Sequence, residues 1–410
     1  MKILIGTDTY PPTVNGAAQF SQRLARGLAG RGHEVHVVSP SPTGQAGRSE
    51  TEDGRVHHRV RSFRYPKYDT VPVGMPGRVG RAVRGVLDDV RPDVVHVQDF
   101  FLIGRSLLKQ ARKRGIGAVA TNHLMPQNVF DHLPVPAPLH DLAAKALWWD
   151  LARVYRKADV VTSPTPRAVE LLRDSTGLHA IAVSNGIDIA PYLAAVEPAD
   201  DDRNPVIVFV GRLDPEKRVG DLLRAMARLP AEVPGRLEVV GEGSQRAVWQ
   251  AEAQQLGLNA DRVVFRGFLS DGELLATYGR ADVFCMPGIA ELQSLATLEA
   301  MATGTPVIAA DAMALPHLVH HGQNGYLYAP GNISELSGHL ATLLQAPGLR
   351  HTMGDLSREL VTAHSIERTL ETFESLYAQV SRTSGGIQLL RRAAALRLVL
   401  GVGSAKSGGR

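Results

Sequence analysis

AELQSLATLEAMATGTPVIAAD (residues 290–311) places two carboxylates, Glu291 and Glu299, eight positions apart, just before a turn and an apolar run. The segment 294–302 is rich in Ala, Leu, Met and Glu, which favour a helix, and Gly304 and Pro306 are typical of the residues that follow a helix end. The run VIAA then predicts a buried parallel strand. We therefore expect Glu299 inside a helix and Glu291 in the loop before it. Both could be ordinary solvated residues, but the apolar neighbours of Glu299 argue against a purely solvated face.

Length and composition narrow the class of protein. The chain has 410 residues, so two domains are expected. Its single cysteine, Cys285, excludes an intramolecular disulfide and is predicted to pack in a strand. The amino-terminal apolar run is too short for a signal peptide, and we find no candidate membrane span. A net charge of +4 is too small to indicate a nucleic-acid partner by itself.

Short apolar runs alternate with helical patterns along the whole chain. KILIG, EVHVVS, DVVHVQ, GAVATN and DVVTSP predict parallel strands in the first half, and PVIVFVG, RLEVVG, RVVFRG, DVFCMP and PVIAA predict a second series. The acidic, aperiodic stretch AAVEPADDDRNP, residues 194–205, separates them as a linker. The pattern predicts an α/β protein with two facing Rossmann-like, doubly wound domains, whose ligands would lie at the carboxyl ends of the strands.

Three loops at predicted strand ends suit an anion. Gly16 precedes the first helix, where backbone amides could meet a phosphate without a side chain in the way. Arg212 and Lys217 follow a strand in VGRLDPEKR and could clamp a diphosphate. The start of the Glu299 helix offers further backbone amides, those near Gln293, Ser294 and Leu295.

The motifs GRLDPEKR, SNGID, VVGEG and ELQSLATLEAMATGTPVIA together resemble the retaining glycosyltransferases of family 4, which have the GT-B fold of two Rossmann-like domains across a deep cleft. The resemblance runs from residue 1 to about residue 380. The implied division is an acceptor-side domain over 1–193, the linker over 194–205, a nucleotide-sugar-binding domain over 206–365, a helix returning to the first domain over 366–383, and a basic amphipathic tail over 384–410.

The resemblance also implies a role for each matching residue. The amide of Gly16 would face the donor diphosphate, and Arg212 and Lys217 would bind its phosphates. Glu291 would lie by the donor sugar and Glu299 by the ribose. The histidine of ATNHLMP, His123, occupies the position of a family histidine near the sugar and the acceptor; without the resemblance it is simply a histidine at a strand end.

The reaction implied is the transfer of a hexose with retention of configuration from a nucleotide sugar, without a metal or other cofactor. The forms TDTYPPTVNG, TNHLMP and ELQSLATLEAMA look most similar to members that glycosylate diacylglycerol and related lipids. UDP-hexose is favoured over GDP-mannose as the donor. Three departures put the sugar in question: Asn15-Gly16-Ala17 in the first loop, Gly288 after Pro287, and Leu292-Gln293-Ser294 after the first glutamate.

Two basic segments suggest contact with an anionic membrane. Residues 55–84 carry many arginines, Phe63 and Tyr65, and a single acid, Asp69, and residues 387–400 are basic and amphipathic. The alternatives are a solvated loop and a tail packed on the protein. We expect a cytoplasmic protein, peripheral on the inner face of the plasma membrane, with no nucleic-acid partner.

Other functions on the same fold stay open from the sequence. They are transfer to a soluble small molecule or polysaccharide, nucleotide-sugar 2-epimerisation, and the binding of nucleotide sugars without chemistry. The combination of Glu291, Glu299, His123, Arg212 and Lys217 favours transfer.

Overall fold

The computed structural model describes residues 1–13, 15–65, 68–125, 136–196 and 203–382. Most of the acidic linker, at 197–202, and the basic tail from 384, including 387–400, therefore lie outside the described residues. So does the side chain of Tyr65.

Sixteen strands are described, and they form two large sheets and one hairpin. The strands are β1 Lys2–Gly6, β2 Glu34–Pro40, β3 Gly47–Glu50, β4 Val56–Val60, β5 Ser62–Tyr65, β6 Tyr68–Gly74, β7 Val94–Val97, β8 Gly117–Thr121, β9 Val160–Ser163, β10 Ile181–Ala182, β11 Val206–Val210, β12 Arg236–Val240, β13 Val263–Gly267, β14 Val283–Met286, β15 Val307–Ala310 and β16 Gly325–Tyr328.

The described helices lie between these strands. They are α1 Gly16–Gly30, α2 Val79–Val90, α3 Leu102–Arg114, α4 His140–Tyr155, α5 Pro166–Thr176, α6 Ala190–Ala194, α7 Val219–Ala227, α8 Arg246–Gln255, α9 Asp271–Gly279, α10 Leu295–Ala302, α11 Leu315–Leu318, α12 Ile333–Leu344, α13 Pro347–Val361 and α14 Ile366–Arg382, with short 3-10 turns at Ala137–Leu139, Pro215–Lys217 and Thr362–His364.

Both large sheets are doubly wound. The first has the order β10-β9-β8-β7-β1-β2-β4-β3, parallel except for β3, and the second has the order β13-β12-β11-β14-β15-β16. The strand order reverses between β1 and β7 in the first sheet and between β11 and β14 in the second. Such reversal points leave a crevice at the carboxyl ends of the strands. The predicted α/β architecture of two doubly wound domains is confirmed.

Each sheet is buried because its strands are almost entirely apolar. All four residues of β14 are buried, and Cys285 among them is fully enclosed, as its apolar context predicted. Burial raises the pKa of the Cys285 thiol, so it stays protonated at neutral pH. Helix α1 places Phe20, Leu24 and Leu28 on its buried face, which is the face read from the sequence.

The chain crosses between the domains twice. Ile187 is already fully buried in the core of the second domain, and α6 packs on α9 and α10, so the first crossing precedes residue 194. Helix α14 then returns to the first domain. It contributes Phe373, Tyr377 and Val380 to the core there, and the Tyr377 hydroxyl lies 2.7 Å from Nδ1 of His96 on β7.

Candidate active site

The crevice of the second domain brings Lys217 and Glu291 together. Lys217 ends the 3-10 turn that follows β11, and Glu291 lies in the loop after β14, the strand beside β11. The lysine ammonium forms an ion pair with the Glu291 carboxylate, and only 16% and 11% of the two side chains is exposed. This largely buried ion pair holds both groups at the reversal point of the sheet.

Two glycines lie in the loops of this crevice. A Cβ at Gly288 would come within 3.3 Å of Oε1 of Glu291 and 3.5 Å of Cδ of Lys217. Gly241, in the motif VVGEG, has φ +130° and packs so tightly that a Cβ would lie 1.9 Å from the carbonyl oxygen of Gly211. Gly241 therefore lets the loops after β11 and β12 pack directly on one another.

Arg212 is held by acids of its own loop. Its guanidinium pairs with Asp214 and, at 3.0 Å, with Glu216. Asp214 also accepts hydrogen bonds from the amide and hydroxyl of Ser244, which joins this loop to the one after β12. The structure thus places Arg212 in the predicted loop, 40% exposed, with its charge already shared by two carboxylates.

The start of α10 faces the first domain. The Ser294 hydroxyl caps the helix by accepting from the Thr297 amide, and the first turn of a helix offers amides with no acceptor inside the helix. The side chain of Gln293 bonds to the segment before α6 instead. Its Oε1 accepts from the Asn185 amide at 2.8 Å, and its Nε2 donates to the Ser184 hydroxyl at 2.9 Å. Leu295 begins the helix, as expected.

Glu299 lies in the second turn of α10, at the junction of the two domains. It accepts a hydrogen bond from the Tyr278 hydroxyl at 3.0 Å, and Arg23 of α1 approaches it at 3.8 Å. Burial raises the pKa of Glu299, while Arg23 and the hydroxyls of Tyr278 and Tyr192 lower it. The prediction that Glu299 is not a solvated helix residue is confirmed.

The first domain contributes Gly16 at the amino terminus of α1, the helix whose Arg23 approaches Glu299. The side chain of Asn15 caps this helix by accepting from the Ala18 amide at 2.8 Å. A Cβ at Gly16 would meet nothing within 4 Å. The backbone there is therefore open to a ligand, which fits the predicted contact with a phosphate.

His123 follows β8 and is oriented by a neighbour that the sequence did not reveal. Its Nε2 lies 3.0 Å from Oε1 of Gln98, and its ring packs on Phe20 with centroids 5.0 Å apart. Burial lowers the pKa of His123 to about 3. The imidazole is therefore neutral near pH 7 and suited to hydrogen bonding rather than to carrying a charge.

Two acids at the reversal point of the first sheet were also missed. The Asp8 carboxylate, after β1, accepts from the amides of Ile103 and Gly104 at the start of α3, and the Asp8 amide donates to Asp99, after β7. Burial, strengthened by Asp99, raises the pKa of Asp8 well above its usual range. Their positions directly after β1 and β7 are the only signal that the sequence offered.

The basic segment 55–84 does not form one surface. Arg55, just before β4, is buried, and Arg59, within it, is half-buried, so they are removed from the predicted membrane-facing set. The arginines 61, 64, 78, 81 and 84 are exposed, and so is Phe63, at 39%. Among the described residues, no helix is long and apolar enough to cross a bilayer. The same part of the chain contains no group of three metal-ligating side chains.

Comparison with known families decides what kind of protein has this site. The family model described as Glycosyltransferase Family 4 matches residues 14–190, and the one described as Glycosyl transferases group 1 matches residues 195–360. A GDP-mannose-dependent alpha-mannosyltransferase of Mycolicibacterium smegmatis is 31% identical over 334 residues, 80% of this chain and 84% of the relative. The chain belongs to glycosyltransferase family 4.

Other relatives of this family 4 glycosyltransferase differ in their named activities. The sulfoquinovosyl transferase SQD2 of Arabidopsis thaliana is 26% identical over 84% of this chain and 67% of its own length. A glycogen synthase of Mycobacterium tuberculosis is 29% identical over 91% of this chain and 93% of its own length. The relatives therefore agree on glycosyl transfer and disagree on the sugar and acceptor.

Solved structures confirm the GT-B fold of this glycosyltransferase. Sucrose-phosphate synthase from Thermosynechococcus elongatus superposes with a TM-score of 0.76 at 21% identity, covering 93% of this chain and 100% of that one. The Anabaena protein HepE, solved in complex with UDP, gives a TM-score of 0.72 at 18% identity, covering 92% and 100%.

Proposed function

We propose that this glycosyltransferase transfers a hexose, with retention of configuration and without a metal, from a nucleoside diphosphate sugar to a hydroxyl of a membrane glycerolipid or glycolipid. The observation that carries the transfer reaction is the Lys217–Glu291 pair at the reversal point of the second sheet. It puts a cation and a carboxylate side by side where a sugar diphosphate would lie.

The chemistry follows from those charges. The bond between the anomeric carbon and the leaving diphosphate breaks, so negative charge grows on the diphosphate and positive charge on the carbon. Lys217, Arg212 and the first-turn amides of α10 would stabilise the diphosphate, and Glu291 would stabilise the carbon. The acceptor oxygen would attack from the face that the diphosphate leaves, and a leaving phosphate oxygen would take its proton.

The direct test is product analysis. The protein would be incubated with nucleotide sugars and mixed lipid vesicles, and the anomeric configuration of the product would be read by NMR. An α-linked product from an α-linked donor, formed equally well with EDTA, is expected. Complete loss of turnover with EDTA and its recovery with manganese would refute the metal-free mechanism, and an inverted product would refute retention.

The nucleotide base is a separate proposal. The sequence favours UDP-hexose, whereas two mycobacterial relatives are named for GDP-mannose and a structural neighbour was solved with UDP. GDP-mannose and UDP-glucose are therefore the first donors to compare. Thermal shift separates them, because a ligand at 100 times its dissociation constant adds about 2.7 kcal/mol to the free energy of unfolding.

The lipid acceptor rests on the exposed arginines beside Phe63. Replacing Arg61, Arg64 and Arg78 by Ser should lower binding to anionic vesicles, since each basic residue near such a surface contributes about 1 kcal/mol. Vesicle flotation at low salt measures this, and high salt should remove the difference.

A matched control replaces three exposed arginines elsewhere, Arg167, Arg173 and Arg228, and should leave flotation unchanged. Equal flotation of both triple variants and wild type at low salt would contradict this membrane surface and favour a soluble acceptor. The relative named glycogen synthase makes a polysaccharide the second acceptor to try.

Product analysis also separates the remaining functions. A 2-epimerase would change the donor sugar with no acceptor present. A protein that only binds nucleotide sugars would give a thermal shift with no turnover. Either result would overturn the transfer reaction itself.

A further inference from the structure

Arg59 occupies a half-buried position near the carboxyl end of β4 in the first sheet. It precedes the last residue of β4, and Arg55, His57 and Arg59 alternate so that they share one face of the strand. That face meets Tyr10, in the loop between β1 and α1. The guanidinium carbon of Arg59 lies 5.4 Å from the centre of the Tyr10 ring, and its Nη1 donates to the Ser39 hydroxyl at 2.7 Å.

Within the described part of the chain, no acidic group balances the charge of Arg59. Arg55, four residues earlier on the same face, is paired with Asp53 at 2.7 Å. Among the described residues, no carboxylate lies within salt-bridge distance of Arg59, and its only hydrogen-bond acceptor is the neutral Ser39. Burial lowers the pKa of Arg59. A partly desolvated cation without an anionic partner costs free energy, because it has lost hydration that nothing replaces. An anionic ligand that bound beside Arg59 would offset this cost.

Two further polar groups near Tyr10 also lack hydrogen-bond partners among the residues that the structure describes. The hydroxyl of Thr13 and Nε2 of His57 are enclosed, at 5% and 6% residue exposure, and make no hydrogen bond within the described part of the chain. Thr13 belongs to the turn in which its own amide donates to the Tyr10 carbonyl at 3.2 Å, and the His57 ring lies 5.1 Å from the Tyr10 ring. Burial, and then the charges of Arg59 and Arg55, lower the pKa of His57 to about 4.

The geometry points to an anion-binding subsite formed by Arg59, Thr13 and His57, which receives a carboxylate or phosphate group carried by the acceptor. A guanidinium and a hydroxyl supply the donors that such a group prefers. The subsite belongs to the domain opposite Lys217 and Glu291, which are the donor residues proposed above. This inference rests on the proposed function, because it names the chemistry of that reaction's acceptor.

Binding of small anions tests the subsite without a known acceptor. Wild type, saturated with UDP or GDP to occupy the donor site, would be titrated by saturation-transfer NMR with glucuronate, glycerol 1-phosphate and neutral glucose. Millimolar binding of at least one anion, and weaker binding of glucose, is expected. Glucuronate and glycerol 1-phosphate distinguish a carboxylate from a phosphate.

Substitution locates the binding. Arg59→Gln should weaken anion binding about 10-fold or more, since it removes a charge-assisted contact, while glucose binding stays the same. Arg59→Lys should weaken it less, and Thr13→Val, which keeps the shape of the side chain, should weaken it a few-fold. Arg55→Gln is the matched control, because it removes an arginine from the same face whose charge is already paired.

The subsite is overturned if wild type binds no anion at millimolar concentration, or if Arg59→Gln and Thr13→Val bind anions like wild type. Should Arg59→Gln fail to fold, Arg59→Lys and Thr13→Val decide the question. Donor hydrolysis is measured in parallel. If the protein hydrolyses the donor but Arg59→Gln binds anions like wild type, only this inference is wrong. If the protein does not turn over any donor, the proposed function is wrong.

Discussion

The two crevices of this molecule lie at the same kind of strand-order reversal but hold charge differently. In the second domain, Lys217 is paired with Glu291, and Arg212 with two acids of its own loop. In the first domain, Arg59 has no acid beside it in the described residues, and His123 is kept neutral by burial. A crevice with internal pairs can hold its cations in place before a donor arrives, whereas an unpaired cation depends on its ligand for a partner. The difference predicts that substitutions in the two crevices will affect different steps.

The largest effect is expected at Glu291. Glu291→Gln should lower the turnover number roughly 100-fold or more, because the carboxylate would stabilise charge that develops only in the transition state. Glu299→Gln should instead raise the donor Michaelis constant, because a ribose contact would be nearly equal in the ground and transition states. Steady-state kinetics, with donor hydrolysis as the readout if no acceptor is known, compare them. Full turnover of Glu291→Gln at saturating donor would remove Glu291 from the chemistry.

The next effect concerns the donor phosphates. Lys217→Met and Arg212→Met should each weaken nucleoside diphosphate binding, by about 10- to 100-fold, since each removes a charge-assisted contact of roughly 1.5–3 kcal/mol. Calorimetric titration with UDP and GDP measures this. The matched control is Arg224→Met, which should leave binding unchanged, because the half-exposed Arg224 of α7 pairs with Asp221 of the same helix and with Glu252 of α8. Binding like wild type in both crevice variants would show that the clamp lies elsewhere.

A smaller effect is expected at Gln98. Gln98→Leu removes the acceptor beside Nε2 of His123, so the imidazole would lose its orientation and kcat/KM should fall about 10-fold. Gln98 is 1% exposed and its own Nε2 has no partner in the described residues, so the cost in free energy of unfolding should be that of one unpaired buried group, His123 Nε2, about 1–3 kcal/mol. Gln110→Leu, another buried glutamine, on α3, is the matched control. Equal activity of Gln98→Leu and wild type would leave Gln98 with a packing role only.

The smallest effect is a pH dependence of stability. Burial lowers the pKa of His58 to about 4 and that of His96 to about 3, whereas a histidine in an unfolded chain titrates near 6.5. Between these values the unfolded chain binds more protons, so the free energy of unfolding should fall with pH below about 6.5, by up to roughly 1.4 kcal/mol per pH unit for each histidine.

Calorimetry between neutral pH and about pH 5 tests this dependence. His96→Gln should melt lower at neutral pH, because it loses the bonds to Tyr377 and Thr121, but its melting temperature should change less with pH. A wild-type melting temperature that is constant over this range would contradict the prediction.

The sequence predicted the second crevice better than the first, for a physical reason. Its strands are continuous apolar runs, and the candidate residues lie in loops after them. The hydrophobic pattern and the position along the chain therefore predicted the loops that carry Arg212, Lys217 and Glu291. Their pairing was not predicted, because Lys217 and Glu291 are 74 positions apart and meet only through the adjacency of β11 and β14.

In the first domain the informative contacts are between distant elements. Gln98 meets His123 across neighbouring strands, and Arg59 meets Tyr10 across the sheet. The segment 55–60 does alternate with period two, which could have shown that Arg55 and Arg59 share a largely buried face. Its high arginine content suggested a surface instead. The short strands β3, β5 and β6 were not predicted, because they carry no continuous apolar run.

Helix α14 has a consequence for the order in which the protein can be completed during synthesis. Phe373, Tyr377 and Val380 fill the core of the first domain, yet the whole second domain is encoded before them. The ribosome therefore finishes the second domain's core first, although it begins with the first. Until the last turns of α14 emerge, the nascent first domain has an open apolar face, and His96 lacks its bond to Tyr377. The first domain is therefore synthesised first but completes its hydrophobic core last.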